Sequence, residues 1–284
     1  PALVQFSQLL YGTGNTAKAK KIIERAVKMS PELGAVHSAL GFVLLGQGQT
    51  EDAELEFNKA IEIDSRLANP HLGMGIVLIR RGEFSAAVAE ILVANTLEPR
   101  LSIYHSYLGK AFYEEKKFEQ AFRSLEEAVK LDPLDPTPHL YSGIFKNDLD
   151  RPGEAVKHFQ KSIRLNDNRA VYRSRFVLDE DRATRNVQLA SAYNRLGLSE
   201  WANLEAVLSN LDDPTNSSAH LFLANTFLNS RGRTAGVGSE LLVGKLLLPV
   251  NSNSFNSFNG YTTLYERPAM NSMIEGGYGS FNSN

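Results

Sequence analysis

A fixed interval of 34 residues restricts this chain more than any other feature of its sequence. Pro31, Ser65, Pro99, Pro133 and Asp167 stand 34 apart, each after a run such as KAIEID, EEAVKLD or KSIRLN. Within each interval the pairs Leu40-Gly41, Met74-Gly75, Leu108-Gly109 and Ser142-Gly143 recur. Ala53, Ala87, Ala121 and Ala155 follow, then Phe57, Ile91, Leu125 and Phe159, then Ala60, Ala94, Ala128 and Ser162. Self-similarity at such a period marks a stack of small supersecondary units, none of which can bury its apolar face alone. The spacing predicts two antiparallel helices, A and B, per unit. The glycine of the Gly41 series and the alanine of the Ala53 series let the pair approach closely. Thr50 stands where a side-chain oxygen can cap the start of helix B. Proline at a unit boundary stops one helix and is tolerated at the start of the next.

This order of residue types resembles the tetratricopeptide repeat (TPR). The resemblance implies an all-α superhelical solenoid of about seven helix pairs, followed by an irregular or β-prone tail. Residues 1–167 form five units, the first truncated but carrying Ala19, Ile23, Ala26 and Pro31 in register. An insertion at 168–181 (NRAVYRSRFVLDE over 168–180) breaks the period. Two divergent units cover 182–248, the first with Leu189-Ala190, Tyr193, Ala202, Ser209 and Pro214 in place and Ser199 as its expected cap. The second carries His220, Leu223-Ala224 and Phe227, with its B helix expected around 237–248. From 249 to 284 the composition turns to Asn, Ser and Gly with interspersed aromatics, which favours helix poorly.

Thirty basic and 32 acidic side chains nearly cancel, leaving no electrostatic footprint for nucleic acid. There is no cysteine, so disulfides, thiolate metal sites and cysteine nucleophiles are excluded. No apolar stretch reaches the roughly 20 residues of a membrane-spanning helix. The opening segment PALVQFSQLL lacks a signal-peptide pattern and reads as a processed or trimmed product.

His37, His71, His105 and His139 lie 34 apart, with His220 in the same register after the insertion. A metal ladder is not expected from them. Equivalent positions in successive units are separated by about 8–10 Å of packed helix, whereas a metal holds its ligands at about 2 Å. Packing between helices is the expected role. Gly73-Met74-Gly75 falls inside a helix and is no nucleotide loop. Gly244-Lys245 lacks the surrounding pattern of a phosphate loop, and Asp148-x-Asp150 with Gly153 lacks the ligands of a calcium loop. Asp179-Glu180-Asp181 is expected as a solvated turn, with Arg173, Arg175, Arg182 and Arg185 forming surface pairs around it. No catalytic arrangement stands out, so the chain is expected to be no enzyme and to need no cofactor or metal.

What remains is the concave groove of the superhelix, lined by the A helices. Register places Ser38, Phe42 and Leu45; Leu72, Ile76 and Ile79; Ser106, Lys110 and Tyr113; and Leu140, Ile144 and Asn147 on that face. The family's carboxylate clamp uses Lys, Asn and Arg, but these positions are largely apolar, so a chaperone role is not carried over. Such a lining suits an apolar helix or extended segment of a protein partner. The alternative is that the insertion, the tail or another copy covers it.

The second half carries a closer resemblance. FVLDEDRATRNVQLASAYNRLG (176–197), DPTNSSAHLFLANTF (213–227), SELLVGKLLLPVN (239–251) and YTTLYERP (261–268) resemble segments of bacterial envelope proteins in which repeats precede an outer-membrane β-barrel. That resemblance implies a Gram-negative envelope, periplasmic or extracellular, with the cytoplasm as the alternative. It suggests a non-enzymatic scaffold. Two other functions stay open: a structural subunit polymerising head to tail through its apolar first segment ALVQFSQLL, and the periplasmic arm of an exopolysaccharide export porin.

Overall fold

A computed structural model of the chain describes residues 2–169, 175–228, 240–244 and 247. Those residues form a solenoid of helix pairs and contain no strand. The A helices are α1 (Ala2–Gly12), α3 (Gly34–Gly46), α5 (Ala68–Arg81), α7 (Ser102–Glu114), α9 (Thr137–Asp148), α11 (Arg175–Arg195) and α13 (Ser217–Leu228). The B helices between them are α2 (Thr16–Met29), α4 (Thr50–Ile63), α6 (Phe84–Leu97), α8 (Phe118–Leu131), α10 (Pro152–Arg164) and α12 (Ser199–Asp212). The expected last B helix is described over 240–244 and 247, where it is helical. The tail from 249 to 284 lies outside the described residues.

Close packing within each pair comes from one small–large exchange. A methyl group placed on Gly41 would stand 2.5 Å from the Phe57 ring. The same test at Gly75 meets Ile91 at 2.3 Å, at Gly109 meets Leu125 at 2.8 Å and at Gly143 meets Phe159 at 2.5 Å. Phe57 also fills the space over Gly73 of the next A helix, at 2.3 Å. Each such B-helix side chain therefore wedges against helix A with no room for another carbon. In the divergent sixth unit the glycine becomes Ala190 and the wedge becomes Ala206, both fully buried.

Successive A helices touch along the stack, whereas B helices do not pack on one another to the same degree among the described residues. The A helices thus lie on the inside of the curve. The core runs continuously through both faces of the A layer, in two buried clusters that meet at α7.

Several local expectations are corrected. Thr50 and Ser199 are not caps: Gln49 and Leu198 occupy the cap positions, and neither cap makes a side-chain bond. Thr50 Oγ1 instead accepts a 2.8 Å bond from Arg80 Nη1 of the next unit. Asp179-Glu180-Asp181 is not a turn but part of α11, which the insertion lengthens to 21 residues. Arg185 on the same helix is buried rather than at the surface, and its Nε donates to Ser162 Oγ at 3.0 Å.

The turn joining helix A to helix B repeats a left-handed residue at one register: Gly14, Gly48, Gly82, Lys116, Asp150 and Gly197. Lys116 holds φ 65° there, a conformation that costs an L side chain roughly 1–2 kcal/mol. Replacing Lys116 by Gly should raise the urea-unfolding free energy by about 0.5–1 kcal/mol, after loss of the ammonium–Tyr113 ring contact. Gly82→Lys should lower it. A stability loss in Lys116→Gly would show that the turn tolerates this strain at no cost.

Candidate functional site: the concave face and its histidine ties

Register predicted an accessible apolar groove, and the structure closes most of it. Leu45, Leu72, Ile76, Ile79, Lys110, Tyr113, Leu140, Ile144 and Asn147 are all between 0 and 9 % exposed. Leu45, Leu72, Ile76 and Ile79 belong to one core cluster, and Tyr113, Leu140 and Ile144 to the other. The physical reason is the contact between successive A helices on the inner side of the curve, which turns inner-face side chains into inter-unit core. Tyr113, for example, stacks on Phe145 of the following A helix with ring centroids 3.7 Å apart. Ser38 and Ser106 are buried too. Phe42 alone of the candidates is half-buried, edge-on to Phe57 at 5.0 Å. Ser106 Oγ and Asn147 Oδ1 have no hydrogen-bond partner among the described residues.

One residue past the apolar register runs a charged row whose first member is buried and whose later members, Glu114, Asp148 and Arg195, reach the surface. Arg80, Glu114 and Asp148 are spaced by 34, and Arg195 follows at the same position after the insertion. This row was present in the sequence as an interval but absent from the expected lining. Arg80 is buried, its Nη2 donating to Leu45 O at 2.9 Å. Glu114 pairs with Lys110 on its own helix. Arg195 donates to Asn147 O at 2.8 Å. Loss of solvation pushes the Asp148 carboxyl above its usual range, against the pull of Arg195 and Lys110. The inner edge around α7, α9 and α11 therefore presents both signs of charge.

The histidine register is a set of ties between helices. Nδ1 of His37 lies 2.6 Å from Glu56, that of His71 2.8 Å from Glu90, and that of His220 2.6 Å from Glu240. Nε2 of the same rings reaches the carbonyls of Pro31, Ser65 and Pro214 at 2.8, 3.1 and 3.0 Å, and His105 likewise reaches Pro99 at 3.1 Å. Each full tie joins helix A, helix B and the preceding turn. Both ring nitrogens of these three histidines therefore face an oxygen, one from helix B and one from the unit boundary. The carboxylate 19 or 20 residues downstream was the partner that sequence inspection missed.

Three units depart from the full tie; in the fourth, Ser124 stands at the carboxylate position and His105 keeps only its carbonyl contact. In the fifth, the carboxylate position is His158, and its ring lies 5.9 Å from that of His139. Burial pushes His139 below the ordinary histidine range; burial, aided by the nearby His139, carries His158 down to about 4. In the sixth, Asn186 replaces the histidine, and burial raises the Glu205 carboxyl.

The repeat, the paired helices and the close-packed small residues meet in one family pattern. This chain carries tetratricopeptide repeats. The tetratricopeptide repeat models match residues 4–68 and 102–135. No curated protein matches the sequence. Among solved structures, the Cut9 and Hcn1 hetero-tetramer of the APC/C superposes with a TM-score of 0.72 at 18% identity, covering 89% of this chain and 47% of that one. This chain thus spans about half the length of that neighbour. Pseudomonas aeruginosa PilF gives 0.57 at 22% identity, over 80% of this chain and 96% of its own. PilW, a widely conserved type IV pilus biogenesis factor, gives 0.60 at 16% identity, over 78% and 97%. At these identities the likeness is one of fold.

The broken tie of the fifth unit sets a pH dependence. His139 and His158 are depressed in the folded chain, so the unfolded chain takes up protons first as pH falls below about 6.5. Stability is therefore full above that pH and is lost between there and about 4, the folded value of His158. His158→Glu installs the carboxylate that the second, third and seventh units use. It should add on the order of 1–2 kcal/mol at pH 5 and little at pH 8 in urea unfolding. An equal effect at both pH values would remove the titration from the explanation.

Proposed function

We propose that this chain is a non-enzymatic scaffold of a bacterial cell envelope that holds a segment of a partner protein along its concave face. Tetratricopeptide repeats are protein-interaction modules, and among the described residues no group of three or more His, Asp or Glu side chains could hold a metal ion. The observation that carries the reading is the charged inner edge formed by the later A helices. Glu114 with Lys110, then Asp148, then Arg195 form a row that an extended or helical segment can follow. Half-buried Phe42 continues the contact towards the first units. The envelope placement is supported by the sequence resemblance of 176–197, 213–227, 239–251 and 261–268 to repeat regions preceding outer-membrane barrels. One fold neighbour, PilW, is a type IV pilus biogenesis factor.

Photo-crosslinking residues placed at Phe42, Glu114 and the outward-facing Leu55 test this in Gram-negative envelope extracts. The account expects one shared adduct from positions 42 and 114, none from position 55, and loss of the adduct in an Asp148→Lys/Arg195→Glu variant that keeps its helical circular dichroism. The proposal fails if adducts form equally from Leu55, or if the charge-reversed variant retains them.

A further inference from the structure

The outer surface carries a second feature, independent of the concave face. The B helix α8 presents charge outward, with Glu119, Arg123, Glu126 and Lys130 exposed along one stripe. The outward stripe of α12 is instead apolar. Its inner face buries Ala202, Ala206 and Ser209. On the opposite side Leu204, Leu208 and Leu211 are 53, 39 and 73 % exposed, and at the flank Trp201, 57 % exposed, has its ring 5.8 Å from that of Tyr193 on α11. A helix that is apolar on both sides is normally covered on both.

The spacing of that stripe is informative. Steps of three, four and three residues place Trp201 and Leu208 at a positions and Leu204 and Leu211 at d positions of a heptad. The flanking e and g positions are then Glu200, Glu205, Val207 and Asp212. Three of the four are acidic, and α12 contains no lysine or arginine. In a two-stranded coiled coil the e and g charges decide the partner. Two copies of α12 would set carboxylates against carboxylates, and an anionic membrane would be repelled by the same residues. The chain's own stretch 249–284 contains a single basic residue, Arg267, and cannot supply a complementary flank. Glu205 is half-buried with its carboxyl raised by burial, so an arriving cation would relieve an unfavourable carboxylate.

We infer that α12 is one strand of an intermolecular two-stranded coiled coil, and that its partner is a helix of another protein with leucine-type residues at a and d and Lys or Arg at e and g. The seam is short, so the affinity should be roughly micromolar.

Trp201 is the only tryptophan in the chain and stands in the seam, so its emission reports docking directly. Two synthetic helices of about three heptads serve as probes, both with Leu at a and d, one with Lys at e and g and the other with Glu there. The Lys peptide should shift Trp201 emission to the blue, saturate in calorimetry and weaken as salt is raised. Leu208→Glu, at an exposed position, should weaken binding at least about tenfold with helicity unchanged. Glu200→Lys/Glu205→Lys should transfer the preference to the Glu peptide. Equal binding of both peptides, no shift with either, or an unchanged preference in the charge-reversed variant would overturn the inference. So would the same shift produced without peptide, by self-association or by anionic phosphatidylglycerol vesicles.

Discussion

Everything in this solenoid depends on one steric fit, the insertion of a B-helix side chain into the gap left by an A-helix glycine. Phe57 is fully buried between Gly41 of its own unit and Gly73 of the next. It sets both the spacing within a pair and the spacing between pairs. Because protein interiors are close-packed, a fit with no spare volume defines a position rather than a tendency. Repeating it every 34 residues propagates one local geometry into a curved stack, without long-range pairing. The sixth unit shows the same constraint by variation, where Ala190 and Ala206 share the space differently.

A polar layer overlies this apolar one. The ties from His37, His71 and His220 to carboxylates and to boundary carbonyls lock the orientation of each A helix against its neighbours. The fourth, fifth and sixth units depart from them, and the last two of these flank the insertion. Where buried polar positions vary inside helix B, the bonding is restored locally. Ser162 donates to Pro136 O at 2.9 Å and Ser209 to Ala183 O at 2.8 Å, in a register that is alanine in the second to fourth units.

Much of the architecture was legible in the sequence because it is local and periodic. Helix pairing, unit boundaries, the close approach at Gly41 and its equivalents, and resumption of the register after the insertion all follow from spacing. The groove was misjudged because register states which way a side chain points but not how far the next unit stands from it. Ile76 and Leu140 point inward and are then covered by adjacent A helices. Thr50 was misread because a hydroxyl at a helix start invites a cap, whereas Arg80 from the next unit takes it. The acidic run at 179–181 reads as a turn by composition and is helical because the insertion extends α11. The stripe on α12 was visible as Trp201, Leu204, Leu208 and Leu211. Periodicity could not say which of the helix's two apolar sides the fold would cover.

The separation of roles follows from this arrangement. Apolar inner-face residues build the stack, the charged row beyond them remains for a partner, and the outer face of α12 stays uncovered by the rest of the pair. All three rest on the wedge at the hairpin. A double-mutant cycle of Gly41→Ala with Phe57→Leu, read by urea unfolding, tests that wedge most directly. If the fit is as described, the smaller Leu makes room for the added methyl, and the double variant is less destabilised than the sum by more than about 1 kcal/mol. Additivity within about 0.3 kcal/mol would contradict the claim that these two positions share one volume.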